Sequence, residues 1–237
     1  MIDNVAICIC DTFANNNIVT GGNLNQRKKK TGADSVMLTM QNIENVMSQN
    51  PDLEPSQIFI GCTGTMVPEV ELLSNKFEGI TIKNDPNNYG MQKGSAVGYQ
   101  LAIKAAIENP DTKYIICFHG DIFVDTLDWI SKLSSKKSTI LLPKWYGRKE
   151  LYSNDALDTK FFAGTKRLIS RVLNMDVPPL QIGDPNLRQN DVEHHLAKAM
   201  AIQYTITHQE LNHLGIYIYH SHHLDWEQNG ELIADCP

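Results

Sequence analysis

Short runs of apolar residues alternate, along the first 143 positions, with segments in which apolar residues recur every three or four positions. The first run, residues 5–10, is continuously apolar and rich in β-branched side chains, which predicts a strand buried on both faces. Apolar residues then recur at helical spacing from Asp34 until Pro51, which predicts an amphipathic helix. The same alternation continues. It predicts strands at 58–60, 80–82, 114–118 and 139–142 and helices at 67–77, 93–107 and 127–133.

Strands interleaved with helices predict an α/β fold with a mostly parallel central sheet and helices on both faces. Ligands of such sheets bind beyond the carboxyl ends of the strands. After Pro143 the pattern is less regular and predicts helices at 166–173 and 191–202 and strands at 204–207 and 215–220. We therefore expect a single domain over 1–237, in which 1–143 form a nucleotide-binding half and 144–237 an acceptor half.

The composition narrows the class of protein. Apolar residues make up 42% and charged residues 20% of 237 residues, which is ordinary for a globular chain with a full core. The five cysteines form no CxxC pair and predict buried, reduced thiols. No apolar run approaches the ~18 residues that a membrane span needs, and no leader is recognised, so we expect a cytoplasmic protein. A net charge of −6 disfavours a protein that coats nucleic acid.

The residues that could carry chemistry begin at the end of the fourth predicted strand. His119 and Asp121 flank the small Gly120 at the carboxyl edge of the sheet. An imidazole and a carboxylate placed there could share one divalent ion beside a diphosphate. The alternative is that Asp121 caps a following helix and His119 is a hydrogen-bonded residue at the sheet edge.

The surrounding segment carries a family resemblance. Asn88-Tyr89-Gly90 opens a helix rich in small residues, and a hydrophobic strand then ends in His119-Gly120-Asp121. Residues 88–130 resemble family-two-like glycosyltransferases of the GT-A fold, in which a D-x-D-type motif stands at this place. The resemblance implies transfer of a sugar from a nucleotide diphosphate sugar, with Asp121 holding Mn²⁺ or Mg²⁺ against the diphosphate and His119 assisting.

Two later segments are similar to parts of the same family. Asn190-Asp191-Val192-Glu193 resembles its E-D-x-E/D-L motif, whose Asp accepts the proton of the acceptor hydroxyl in inverting enzymes, so Asp191 is the candidate base. The alternative is that Asp191 caps a helix. Several GT-A enzymes take a metal ligand or a diphosphate contact from a late histidine, which implies such a role for His220 or His222.

The resemblance also implies a donor pocket at the ends of the early strands. Asp11-Thr12-Phe13 fits the family position that lines the base pocket. The acid that usually follows the second strand is missing, which questions a UDP-sugar donor, and Thr63, Thr65 or Asp85 could substitute for it. The complete set of residues predicted to bind the donor is Asp11, Thr12, Phe13, Thr63, Asp85, Asn88, Gly90, Lys93 and Gly120.

Other functions stay open at this point. A sugar-nucleotide pyrophosphorylase shares the sheet type, but its glycine-rich basic loop after the first strand is absent here. A non-catalytic nucleotide-sugar or glycan binding module would keep the fold. The acceptor could be a soluble glycan, a protein, a small molecule or a modified nucleic-acid base. A hydroxylated DNA base would suit the basic run 27–30 and an aromatic cluster that either packs in the core or stacks on rings, namely Trp145, Tyr146, Tyr152, Phe161 and Phe162.

Overall fold

The structure, a computed structural model, describes residues 4–14, 31–120, 122–124, 127, 161–178, 192, 195, 196, 199 and 218–220. The predicted strands 139–142 and 204–207, the basic run 27–30 and most of the predicted helix 127–133 lie outside these residues. The longer elements are β1 Val5–Asp11, α1 Gly32–Gln49, β2 Ile58–Thr63, α2 Val70–Lys76, β3 Thr81–Asp85, α3 Gly90–Glu108, β4 Tyr114–His119, β5 Ile122–Val124, β6 Phe161–Thr165, α4 Lys166–Ile169 and β7 Ile218–His220, with single 3₁₀ turns at Pro55–Gln57 and Ser170–Asn174.

Among the described residues, five strands form the main sheet, in the order β3-β2-β1-β4-β6. β1, β2, β3 and β4 are parallel, and β6 pairs with β4 in the antiparallel sense. The predicted mostly parallel α/β sheet with helices on both faces is therefore confirmed. The sequence pattern does not predict β6, because it indicates only an aromatic cluster at Phe161 and Phe162.

Two hydrophobic cores lie on the two faces of this sheet, because side chains alternate between its faces along each strand. On one face, α1 and α2 cover Ile7, Ile9 and their neighbours in β2 and β4. On the other face, α3 covers Ala6, Cys8 and the alternate residues of the same strands. Phe161 and Phe162 are buried on opposite faces, so these two members of the aromatic cluster are core residues.

Helix α1 is fixed at both ends by its own sequence. The Thr31 hydroxyl accepts a hydrogen bond from the Asp34 amide at 3.1 Å, and the Asp34 carboxylate accepts one from the Thr31 amide at 2.7 Å. This reciprocal capping box satisfies amide groups that a helix leaves unpaired at its start. Pro51 follows the C-terminal cap, Asn50, as the sequence predicts.

Helix α3 lies unusually close to the sheet because glycines face each other across the contact. A Cβ placed on Gly61 of β2 would lie 1.8 Å from the carbonyl oxygen of Gly98, and a Cβ placed on Gly98 would lie 2.7 Å from Cys10 Sγ. Only glycine fits at these positions without moving the helix. The small residue Gly98 therefore allows α3 to pack closely against the sheet.

The strand order reverses between β1 and β4. The chain runs from β1 through β2 to β3 on one side of β1, and α3 then carries it back to β4 on the other side. At such a reversal the flanking connections leave in opposite directions and open a crevice at the carboxyl ends of the strands. The residues at this crevice are Asp11, which ends β1, His119, which ends β4, and Gly120, which follows β4.

A second, two-stranded sheet adjoins this crevice. β5 pairs with β7 in the antiparallel sense, and His220 lies opposite Ile122. The predicted strand 215–220 is therefore observed as Ile218–His220, in this small sheet and not in the main one. Among the described residues, no helix combines the length and the hydropathy needed to cross a membrane.

Candidate functional site

The carboxylate of Asp11 lies at the centre of the crevice. Its Oδ1 atom accepts a hydrogen bond from the Thr12 amide at 2.7 Å, and its Oδ2 atom accepts one from the Thr39 hydroxyl of α1 at 2.7 Å. The carboxylate therefore points to the α1 face of the sheet and is held by both oxygens. A carboxylate oxygen can accept more than one hydrogen bond, so these two contacts do not exhaust its capacity.

Gly120 lies against this carboxylate. Its amide donates to the Cys10 carbonyl at 3.1 Å, which joins the end of β4 to the end of β1. A Cβ placed on Gly120 would lie 2.1 Å from Asp11 Oδ2 and 2.3 Å from Thr39 Oγ1. A glycine is therefore required here if the Asp11–Thr39 hydrogen bond is to form.

His119 lies on the other face of the sheet. Its half-buried ring is 5.5 Å, centroid to centroid, from the ring of Tyr99 in α3, and Tyr99 packs edge-on against Phe162 at 4.9 Å. The Nε2 atom of His119 is buried. Because Asp11 points to the α1 face and His119 to the α3 face, a ligand that contacts both has to lie over the ends of the strands.

The neighbouring strands β2 and β3 contribute further polar groups to the same edge. Thr63 is paired with Asp85 across the two strands. Thr63 is buried beneath α3, and a Cβ on Gly94 would lie 3.2 Å from its hydroxyl oxygen. Asp85 is the last residue of β3, whereas the sequence predicted the strand to end at residue 82.

Asp85 organises the entry to α3. Its Oδ1 atom accepts from the Asn87 amide at 3.0 Å, and its Oδ2 atom accepts from the Tyr89 hydroxyl at 2.9 Å. The backbone hydrogen bond from Asn87, followed by the hydrogen bonds from side chains, lowers the pKa of Asp85 below its ordinary value of 3.8. The hydrogen bond to Asp85 raises the pKa of Tyr89 above 10.0.

The first turn of α3 carries the remaining residues of the predicted donor pocket. Asn88 is exposed just before the helix, which begins at Gly90 and not near Lys93 as the sequence indicated. Lys93 lies with its Nζ atom 5.4 Å from the centroid of the Tyr89 ring. The cation is therefore held beside the N-terminus of the helix.

Cys62, which is opposite Asp11 in the β1–β2 register, is a core residue. Burial, and secondly the charge of Asp11, raises the pKa of the Cys62 thiol to about 12. Burial likewise raises the pKa of Cys117 well above its ordinary value. These thiols stay protonated at neutral pH, so neither is suited to act as a nucleophile or a metal ligand.

The structure thus brings some of the predicted residues together. Thr12 and Gly120 both lie against the Asp11 carboxylate, and His119, Thr63 and Asp85 end three other strands, β4, β2 and β3, at the same edge. Phe13 is fully buried in the α1-side core. His220 is placed by its backbone alone, opposite Ile122. Asp121, Asp191 and His222 lie outside the described residues.

Two residues of the site are not predicted by the sequence pattern. Thr39 contacts the Asp11 carboxylate, and the Asn42 amide contacts the carbonyl oxygens of Gly120 and Ile122. Both face the sheet from α1 and are fully buried. The signal was present as Ser35, Thr39 and Asn42, three polar residues at helical spacing on the apolar side of the helix.

The described residues do not by themselves form a metal site. Among them, no three His, Cys, Asp or Glu side chains come close enough to hold one ion. The donor set at the crevice is nevertheless of the type that Mn²⁺ and Mg²⁺ take, since it offers carboxylate oxygens and an imidazole. The predicted metal site therefore requires Asp121 in addition to the described residues.

No protein-family model matches the chain, and no curated protein matches it. Among solved structures it is similar to A197 from STIV, at 12% identity and a TM-score of 0.37 over 66% of this chain and 80% of that one. It is also similar to mannose-1-phosphate geranyltransferase from Thermus thermophilus, at 10% identity and a TM-score of 0.39 over 80% and 71%. A third is the bifunctional IspDF from Campylobacter jejuni, at 12% identity and a TM-score of 0.40 over 85% and 49%.

Proposed function

We propose that this chain is a metal-dependent glycosyltransferase, which moves a sugar from a nucleotide diphosphate sugar to an acceptor hydroxyl with inversion. One observation carries the proposal. At the point where the strand order reverses, the Asp11 carboxylate is packed against Gly120, within the His119-Gly120-Asp121 motif. A bound ligand at this crevice would meet acidic and imidazole groups from two adjacent strands.

The nucleotide part of the donor would lie along the ends of β1, β2 and β3. Asp11 and Thr12 offer hydrogen-bonding groups there, and the next two strands end in Thr63, which is buried, and in Asp85. The backbone amide groups at the start of α3, near Gly90 and Lys93, suit the negative charge of a diphosphate. Tyr89, the residue before this helix, makes no side-chain hydrogen bond to its first turn.

Asp121 would hold Mn²⁺ or Mg²⁺, with His119 and either His220 or His222 as further ligands. When bound, such an ion neutralises the negative charge that develops on the leaving diphosphate. The β5–β7 pairing supports the inclusion of His220, because it lies opposite Ile122, the residue after Asp121 in the chain.

Asp191 would act as the base. It would accept the proton of the acceptor hydroxyl while that oxygen bonds to the anomeric carbon, and the nucleotide diphosphate would leave with the electrons of the broken bond. The position of the next residue supports this role. Val192 is helical and buried in the same core as Tyr99, which contacts His119.

The test is release of nucleotide diphosphate from a panel of nucleotide sugars with Mn²⁺. We expect turnover with at least one donor, and a loss of at least ~100-fold in Asp121→Asn. Asp111→Asn is the matched control, because Asp111 is an exposed carboxylate at the opposite end of β4. Undiminished turnover in Asp121→Asn would refute the metal assignment. Binding of a nucleotide sugar without release, with every acceptor class offered, would favour a binding module.

A further inference from the structure

Helix α1 presents a polar face to the crevice. Ser35, Thr39 and Asn42 are three and four residues apart, lie on one side of the helix, and are all fully buried. Burial of polar side chains costs free energy unless each finds a partner. The contacts made by two of them identify what this face does.

Thr39 acts on the end of β1. Its hydroxyl donates to Asp11 Oδ2 at 2.7 Å, while the Thr12 amide donates to Oδ1 at 2.7 Å. The two bonds reach the carboxylate from different sides and fix the direction in which it points. Without the Thr39 hydroxyl, one oxygen would lose this partner and the side chain could rotate.

Asn42 acts on the end of β4. Its Nδ2 group donates to the Gly120 carbonyl at 3.5 Å and, through a shorter contact, to the Ile122 carbonyl. One buried side chain therefore holds the backbone on both sides of residue 121. The Oδ1 atom of Asn42 finds no donor among the described residues, so this amide is buried at a cost and contributes only through its donor.

We propose that Thr39 and Asn42 are positioning residues, which hold the Asp11 carboxylate and the turn at Gly120 in register at the crevice. This inference rests on the proposed function, since it assigns the two side chains to the same site. Neither side chain is exposed to a ligand, so both act through Asp11 and the 120–122 backbone. Asn42 acts beside residue 121, so its loss should lower turnover more than donor binding, because small errors in placing reacting groups cost rate. Thr39 acts on Asp11 of the donor pocket, so its loss should weaken donor binding.

The first arm of the test measures amide hydrogen exchange and needs no activity. Asn42→Ala is compared with Asn45→Ala, because Asn45 of the same helix donates to the Val124 carbonyl at 3.2 Å, farther along β5. We expect Asn42→Ala to raise exchange at the Gly120 amide at least ~10-fold and Asn45→Ala to leave it within about twofold. The β2 amides should stay unchanged in both variants. Equal exchange at Gly120 in the two variants would overturn the role of Asn42.

A second pair of variants covers the case in which Asn42→Ala fails to fold. Thr39→Val keeps the shape of the side chain and removes its donor, whereas Thr39→Ser keeps the donor. The Thr12 amide reports on the carboxylate, since it donates to Asp11 Oδ1. We expect faster exchange at Thr12 in Thr39→Val only, and the same rate in both variants would refute the role of Thr39.

The second arm uses the donor that supports turnover. We expect Asn42→Ala to lower kcat about 100-fold with KM within about threefold, and Thr39→Val to raise KM about 10-fold. Thr39→Ser and Asn45→Ala should stay within about threefold of the wild type in both constants. Parallel losses in Thr39→Val and Thr39→Ser would contradict the inference while the proposed function stands. If the wild type turns over no nucleotide sugar, the proposed function fails and the exchange arm alone decides whether the two residues hold the edge.

Discussion

At the scale of single residues, the site depends on the lack of a side chain at Gly120. The Asp11 carboxylate occupies the space that a Cβ of Gly120 would need, and the Thr39 hydroxyl occupies the rest of it. The lack of a Cβ at Gly120 therefore leaves room for the hydrogen bond from the Thr39 hydroxyl to Asp11 Oδ2. The glycine in the His119-Gly120-Asp121 motif is therefore explained by the approach of a neighbouring strand, and not by an unusual backbone conformation, since only Gly64 and Gly79 have positive φ among the described glycines.

Replacing Gly120 by alanine should damage both stability and activity. We expect Gly120→Ala to lower the free energy of unfolding by about 1–3 kcal/mol, because the added methyl group overpacks the site and separates Asp11 from Thr39. Gly164→Ala is the control, since a Cβ there would lie 3.4 Å from Ile169 Cδ1, which is an ordinary contact. Urea denaturation of both variants measures the difference, and equal stabilities would show that the crevice accommodates a side chain.

At the scale of elements, the turn from β3 into α3 is organised by a carboxylate. Asp85 accepts hydrogen bonds from Asn87 and from the Tyr89 hydroxyl, and Lys93 lies beside the Tyr89 ring. These contacts shape the first turn of α3, where the diphosphate of the proposed donor would bind. The ionised form of Asp85 is the stronger acceptor of these hydrogen bonds, and the Tyr89 hydroxyl can donate only in its neutral form.

The stability of this turn should therefore decrease both at acid pH and at alkaline pH. The pKa of Asp85 is lowered on folding, so its stabilisation is present above pH ~4 and is lost as the pH falls through its folded value. The pKa of Tyr89 is raised on folding, so its stabilisation is present below pH ~10 and is lost as the pH rises through its folded value. We expect the difference in unfolding free energy between the wild type and Asp85→Asn to be largest from about pH 5 to 9.

Two outcomes of that measurement are informative. Tyr89→Phe should remove the alkaline part of the dependence and leave most of the acid part, because Asn87 still donates to Asp85. A difference between the wild type and Asp85→Asn that is constant from about pH 3 to 11 would contradict the assignment of both shifts.

At the scale of the whole molecule, the order of the strands decides where a ligand can bind. The reversal between β1 and β4 opens the crevice, α1 closes it from one face, and Tyr99 of α3 lies under it on the other. Asp11 and Gly120 are far apart in the chain. They meet because α3, the connection from β3 to β4, carries the chain back across the sheet and places β4 beside β1.

Ligand binding at this crevice should stabilise the whole fold. A nucleotide sugar present at about 100 times its Kd, with Mn²⁺, adds about 2.7 kcal/mol to the free energy of unfolding. For a chain of this size, that corresponds to a rise in Tm of roughly 5–10 °C. A thermal-shift panel of nucleotide sugars, each with and without Mn²⁺, measures the rise and identifies the donor. If millimolar concentrations of every nucleotide sugar leave Tm unchanged, the proposed donor site is wrong.

Much of the fold followed from local patterns. The buried strands β1, β2 and β4 are continuous apolar runs, and α1 has a clear helical period, so each could be recognised from a short window of sequence. Strand β6 could not, because whether Phe161 and Phe162 form a strand depends on the unpaired edge of β4. The site was partly predictable in the same way, since Asp11 and His119 end recognisable strands.

The sequence by itself determined the alternation of strands and helices and the polar residues that end each strand, because these features arise from the period of the backbone and from short-range sterics. Only the tertiary structure decided that Asp11 and His119 point to opposite faces of the sheet, that Gly120 is required by the Asp11 carboxylate, and that Thr39 and Asn42 belong to the site. These facts depend on which strands become neighbours and on how closely α1 packs against them. Strand order and packing distance come from the burial of both cores at once, which no local window of residues contains.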